Sequence, residues 1–476
     1  EAHLFELAEE IARKVVVALF EDAPEVPRRF DTTLLALKAY LRGEALLREG
    51  HFADAFQAFE SAVEEDSLFT LGWARLGITA SYTEDLVMGR RAVKKALEVD
   101  GALSESERRK LLAYRAFADG RFVEAEERWR AVIGTHPRDP DAWFYLADVY
   151  FHGGPLHGNN PAESWSGFKQ AIEYGFPEED YSLQYHIRAS AAWAGDTDAY
   201  VETLRNLLRL EPEGDLAAPV RAELASMTDD ETLRQTAFDE LSESPDWLMT
   251  VAQYGLALVA RDVEAASEAA LLWTQPRRST MVRAQGHIAA ALFALVGGHV
   301  TRADEQMALA GTLDPVYTAE YAGFISLLPL PDAESRLVRA RESLLGVEPV
   351  TRPSEEINPW ADSHGDVHDV VVASVLASIL IRLGDIESAT RLLDEMESNE
   401  SSPAKTNVAR GLAASGRAAL ALVAADTTAA IDILANTRVE DFWVRTGISP
   451  ILSSVGERFM LAGLLAERGE VDEAVR

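Results

Sequence analysis

The sequence predicts an all-α fold in which antiparallel helix pairs stack into a solenoid. Two observations predict it. Apolar residues recur at helical spacing along most of the chain. A short phrase also recurs: a Gly or small turn, a polar residue, then Ala five positions after the turn. Size and composition permit the fold, because 476 residues, 47 % hydrophobic and 26 % charged, suit two or three ordinary domains or one long repeat array.

The phrase reads GHFADA (Gly50–Ala55), GRFVEA (Gly120–Ala125), GHVTRA (Gly298–Ala303), GDIESA (Gly384–Ala389) and GEVDEA (Gly469–Ala474). GDTDAY (Gly195–Tyr200), RDVEAA (Arg261–Ala266) and ADTTAA (Ala425–Ala430) are weaker copies. Glycine after a helix takes the left-handed conformation that ends it. The polar residue then begins the next helix, and the small Ala lets two antiparallel helices approach closely.

Residues 1–34 hold one helix, HLFELAEEIARKVVVAL (His3–Leu19), and a linker ending near Thr32–Thr33. Residues 35–212 form an N-terminal array. Gly43, Gly50, Ala55, Phe59 and Ala62 mark its first repeat, and Trp73, Leu76, Gly77 and Ala96 its second. Leu112, Ala113, Gly120, Ala125, Trp129 and Pro137 mark the third; Trp143, Leu146, Ala147, Tyr150, Phe168 and Ala171 the fourth. A fifth runs through Gly195, Leu204 and Leu207 to Pro212. Residues 213–244 are rich in Asp, Glu and Thr, lack the phrase, and are expected to connect two arrays as a hinge. Residues 245–476 form a more degenerate array, with copies at Ala291–Pro315, Ala377–Ala389 and Ala462–Ala474, interrupted by an irregular stretch at Gly346–His368. The chain begins with Glu and stops at Arg476 inside a helical pattern, so it is expected to be part of something longer.

These positions resemble the tetratricopeptide repeat, whose first helix carries a large apolar residue, Leu, a small residue and an aromatic, and whose second carries Ala, an aromatic, Ala and a closing Pro. The resemblance covers most of the chain and implies a right-handed solenoid; such folds host many roles. The first helix with Thr32–Thr33 and ALKAYLRGEALLREG is similar to a bacterial arrangement in which a small domain of the kind preceding TolB- and FlgO-like regions leads into these repeats. That resemblance implies a regulatory region attached to a serine/threonine kinase, an adenylyl cyclase or a winged-helix regulator.

Composition excludes several classes. Lys and Arg total 45 against 78 Asp and Glu, a net charge of −33, which argues against nucleic acid. No cysteine is present, which removes disulfides, thiolate metal sites and cysteine nucleophiles without assigning a compartment. The best candidate span, VVVASVLASILI (Val370–Ile381), is too short to cross a bilayer, and no signal peptide is expected. No phosphate-cradling glycine loop is present, and no cofactor is expected.

Two histidine-bearing stretches stand out. YFHGGPLHGNNP (Tyr150–Pro161) delays the second helix of the fourth repeat, whose small residue falls at Ser164. His152 and His157 with Asp148 have no fixed ligand geometry across Gly and Pro, so the stretch reads as a structural insertion, with Asn160 capping the helix that Pro161 starts. DSHGDVHD (Asp362–Asp369) reads as a helix start before an apolar run. No metal site is expected at either.

The register that the resemblance implies places Tyr40, Tyr82, Tyr114, Phe144, His152, Tyr185 and Trp193, with Phe117 and Phe151, on the inner wall of the first helices. Aromatics there anchor a protein segment at low entropic cost. The acidic excess favours a segment that is apolar and basic. The expected function is a non-catalytic scaffold gripping such a segment; the alternative is a ligand-sensing module of a larger signalling protein.

Overall fold

A computed structural model describes residues 32–80, 86–99, 105–154, 162–348, 364–399, 402–437, 439 and 449–474. Among the described residues every regular element is helical. The expected helix at His3–Leu19, the groove residue Tyr82, and His157 and Asp362 of the two histidine stretches lie outside them.

Two compact units divide the chain: Glu1–Phe151 with Pro161–Ala217, and His152–Asn160 with Ala218–Arg476. The first holds α1 (Leu34–Arg48), α2 (Phe52–Glu65), α3 (Thr70–Thr79), α4 (Leu86–Glu98), α5 (Glu105–Ala118), α6 (Phe122–Thr135), α7 (Pro140–Gly153), α8 (Ala162–Glu173), α9 (Tyr181–Trp193) and α10 (Thr197–Leu210). Helix α7 is unbroken past Phe151, so the helix backbone fixes His152 to it. The second unit begins with α11 (Ala217–Thr228), α12 (Glu231–Glu243) and α13 (Asp246–Tyr254), the last running into a π-turn at Gly255–Val259. It continues with α14 (Val263–Leu272), α15 (Thr280–Val296), α16 (Val300–Leu313), α17 (Pro315–Ser326) and α18 (Ala333–Leu345). Then come α19 (His368–Leu383), α20 (Ile386–Glu397), α21 (Pro403–Val423), α22 (Thr427–Asn436), α23 (Val455–Glu467) and α24 (Val471–Ala474). Within each unit helices pack on their sequence neighbours in consecutive pairs.

The recurring phrase is the turn between paired helices. Gly50, Gly120, Gly195, Gly298, Gly384 and Gly469 have φ of 81°, 74°, 79°, 77°, 83° and 84°. The two copies without glycine keep the same conformation, Arg261 and Ala425 both at φ 60°. The residue after the turn closes the preceding helix: the N–H groups of His51, Arg121 and Asp385 donate to the carbonyls of Leu46, Ala116 and Leu380 at 2.9, 2.8 and 2.9 Å. Where that residue is Asp, its carboxylate also caps the next helix, as Asp196 does for the Ala199 N–H at 3.0 Å. In five of the copies the small residue is fully buried: Ala55, Ala125, Ala266, Ala389 and Ala430 have no exposure.

Residues 213–244 carry a helix pair of the same kind. Asp229 takes φ 53° between α11 and α12, Asp230 donates its N–H to Ala225 O at 3.3 Å, and the Asp230 carboxylate caps Leu233. The turn between these helices is written with neither the glycine nor the spaced alanine that identify the others. Around α17 and α19 the second unit has its own apolar core, including Val371, Val375, Ile379, Leu393 and Leu412. No helix among the described residues is long and apolar enough to cross a membrane.

Candidate functional site

The first helices of the first unit carry most of the residues expected on the inner wall, and burial sorts them. Tyr40, Tyr114 and Phe144 are 8 %, 4 % and 3 % exposed, so these three are core. Tyr40 meets Phe59 and Phe69 at ring-centroid distances of 5.7 and 5.3 Å. Phe144 stacks on Phe176 at 4.6 Å with an interplanar angle of 4°. Tyr114 packs edge-on against Tyr145, and its hydroxyl donates to Ile78 O at 3.3 Å, so an internal carbonyl serves the hydroxyl instead of a wet edge. Phe117 and Phe151 are buried likewise. The physical reason is the width of the apolar stripe: a first helix packs against its own partner and the adjacent repeat, and large rings fill that junction.

His152, Tyr185 and Trp193 remain half-buried. Tyr185 lies under the Arg188 guanidinium, 3.8 Å from its ring centroid, and Trp193 packs on Phe151 at 4.9 Å. Asp180 caps α9 through the Leu183 N–H at 3.0 Å. Burial pushes the Asp180 carboxyl up to about 6 against the opposing pull of that bond and of His186. Charged residues of successive first helices pair across repeats, Arg75 with Glu44 at 2.6 Å and Lys110 with Asp141 at 3.5 Å. The Glu44 carboxylate holds the Arg75 guanidinium well above its ordinary value despite burial.

Sequence reasoning missed His186. Its Nε2 stands 3.0 Å from Asp148 Oδ1, with both residues buried, and Phe144, Phe151 and Phe168 pack around its ring. The donor atoms of Asp148, His152 and His186 lie within 4.8 Å of one another. No local signal links the pair, because His186 sits on the first helix of the following repeat. The Gly167 position beside them requires glycine, since a Cβ there would lie 2.7 Å from Ala147 Cβ where α8 crosses α7.

In the second unit, the described part of DSHGDVHD is also a buried polar cluster. Glu320 of α17 bonds His364 through one carboxylate oxygen and faces His368 Nε2 at 3.1 Å through the other. His364 Nε2 meets Ser449 Oγ at 2.5 Å. Burial alone would raise the Glu320 carboxyl; charge and hydrogen bonds from the two histidines outweigh it and hold the group below the usual carboxylate range. Tyr317 and Tyr321 lie flat on His368 and His364 at centroid distances of 5.9 and 5.8 Å. The order serine, histidine, glutamate is that of a nucleophile relay. Here Glu320 and His364 have no exposure and Ser449 only 1 %, and the serine oxygen already accepts N–H groups from Ile451 and Leu452. The cluster ties α17, the start of α19 and the 449–452 turn together.

No family model matches the chain, and no curated protein matches it. Solved structures similar to it are repeat proteins of the tetratricopeptide kind. The C-terminal part of a TPR repeat-containing protein from Cytophaga hutchinsonii is 14 % identical, with TM-score 0.24, over 58 % of this chain and 95 % of that one. The P58(IPK) TPR domain is 14 % identical, with TM-score 0.22, over 91 % of this chain and 99 % of that one. Yeast Tom70 is 13 % identical, with TM-score 0.29, over 91 % of this chain and 96 % of that one.

Proposed function

We propose that the chain is a protein-interaction scaffold whose first unit holds an extended or helical partner segment against its first helices. The observation that carries this is the pair of half-buried aromatics on α9, Tyr185 and Trp193, left at the surface of a repeat whose other large rings are packed away. Amphipathic rings of this kind supply large contact area at small entropic cost. The excess of 78 acidic over 45 basic residues favours a basic segment, with association weakening as salt rises. Tyr82 is proposed as a further contact from the sequence register alone.

The test starts from a displayed random-peptide library selected on the immobilised protein, followed by calorimetric titration of the best peptide. The reading expects selected peptides rich in Lys or Arg with aromatic or aliphatic anchors. Tyr185→Ala or Trp193→Ala should cost about 1–3 kcal/mol of binding without changing the melting temperature by more than a few degrees. Peptides that bind the double variant as tightly as the parent, or acidic peptides that bind regardless of salt, would overturn it.

A further inference from the structure

We propose that Asp148 and His152 of α7 and His186 of α9 form a binding site for one divalent transition-metal ion of the zinc class. The proposal rests first on a fixed tautomer. His186 Nδ1 is 2.6 Å from the Ser182 carbonyl oxygen, which can only accept, so Nδ1 carries its hydrogen. In the neutral ring Nε2 is then a lone pair, and it lies 3.0 Å from Asp148 Oδ1. Two acceptors at that distance require a cation between them, which is either a proton or a metal ion. Anchoring one ring nitrogen on a backbone carbonyl is also how metal-binding histidines are oriented.

The third donor comes from helix geometry. His152 follows Asp148 by one turn on α7, the spacing that places two ligands on one helix face, and all three donor atoms fall within 4.8 Å. Donors bonded at about 2.0–2.2 Å in a tetrahedral sphere stand about 3.3 Å apart. The Asp148–His186 edge is already near that value, and the two edges to His152 are no longer than 4.8 Å. Two imidazole nitrogens and one carboxylate suit zinc, cobalt or nickel better than calcium or magnesium, and three protein ligands leave one coordination position for water or an incoming donor. Phe144, Phe151 and Phe168 around His186 supply the dry surroundings in which such bonds are strong. Asp148 and His186 are buried while His152 is half-buried, so the His152 side is where an ion enters.

Chelator-stripped protein titrated with Zn²⁺ by calorimetry, and with Co²⁺ by visible absorption, tests this. The expected result is one equivalent with Kd below about 1 μM, a cobalt spectrum of low coordination number, and a melting temperature that rises with added zinc. His152→Gln alters only a half-buried side chain and should weaken binding at least about tenfold while leaving the metal-free melt unchanged. Asp148→Asn should do the same wherever it folds. His51→Gln, in the surface group of Glu49, His51 and Glu211, should leave the tight equivalent intact. The proposal is overturned if no tight equivalent binds, which would assign the Asp148–His186 contact to a proton alone. It is equally overturned if the tight equivalent survives His152→Gln or disappears with His51→Gln.

Discussion

Replacing Gly384 by Ala isolates the backbone conformation on which the repeat turn depends. Gly384 has φ 83°, and a Cβ built there meets nothing within 4 Å, so no steric contact with neighbours enters the comparison. An L-residue in the left-handed region costs about 1–2 kcal/mol. Ala also restricts the unfolded chain, which returns about 0.4–1 kcal/mol. Taking the middle of each range, the expected net loss is about 0.8 kcal/mol. Gly50 has nearly the same φ of 81°, but its Cβ would lie 2.8 Å from Tyr181 Cγ, and Tyr181 is only 1 % exposed. Gly50→Ala should thus lose a further 1–3 kcal/mol or so from overpacking. Ala425 already sits at φ 60°, so Ala425→Gly should be neutral or stabilise by up to about 1 kcal/mol. In a unit of this size each kcal/mol moves the melting temperature by about 2–4 °C. Hydrogen exchange at the Asp385 amide, bonded to Leu380 O at 2.9 Å, reports the turn locally and does not require the whole chain to unfold in one step. If Gly384→Ala matched the parent within about 0.3 kcal/mol, or Ala425→Gly lost as much as Gly384→Ala, the left-handed turn would not be what the phrase encodes.

Three further outcomes are expected. Tyr114→Ala should cost about 3–5 kcal/mol of stability as a core truncation, while Tyr114→Phe, which removes the hydroxyl and with it the bond to Ile78, should cost about 1 kcal/mol; equal small losses from both in urea titrations would return the ring to the surface. Glu320→Gln leaves two histidines around a neutral amide and should destabilise the second unit by about 3–5 kcal/mol at pH 7. Because the folded Glu320 carboxyl is held low, its contribution is present above the unfolded value near 4.3 and fades as pH falls through the lower folded value, so the gap between parent and variant should shrink under acid. Asp180 has the opposite sign: its folded carboxyl is raised to about 6, so it favours folding at low pH and loses that contribution as pH rises from about 4 through 6. Asp180→Asn keeps the cap and should flatten that slope, leaving the variant more stable than the parent at pH 7 by about 1–3 kcal/mol; an unchanged slope in melts from pH 4 to 7 would refute the assignment.

The paired-helix architecture was legible because each turn combines two local requirements, a left-handed residue and a small buried one, and both leave a trace in sequence. Arg261 and Ala425 show the conformation outlasting the glycine; Asp229 shows it without the alanine as well, and that pair of helices could not be read. The site was less legible. Helical spacing separates one face of a first helix from another by about 100° per residue, and a ring at Tyr40 or Tyr114 satisfies the same spacing whether it faces the groove or the partner helix. The bond between the Tyr114 hydroxyl and Ile78 O depends on a neighbouring repeat, as does the approach of His186 to Asp148. Glu320 and His364 are joined across 44 residues, which no motif of fixed spacing encodes.

The most direct test of the scaffold reading maps where a selected basic peptide lies. A photo-crosslinking residue placed at Ala192, on α9 beside Trp193, should capture the peptide, and capture should fall with added salt. The same residue at Arg205, exposed on α10, should give none. Capture at Arg205 with none at Ala192 would place the partner on the second helices and contradict the account.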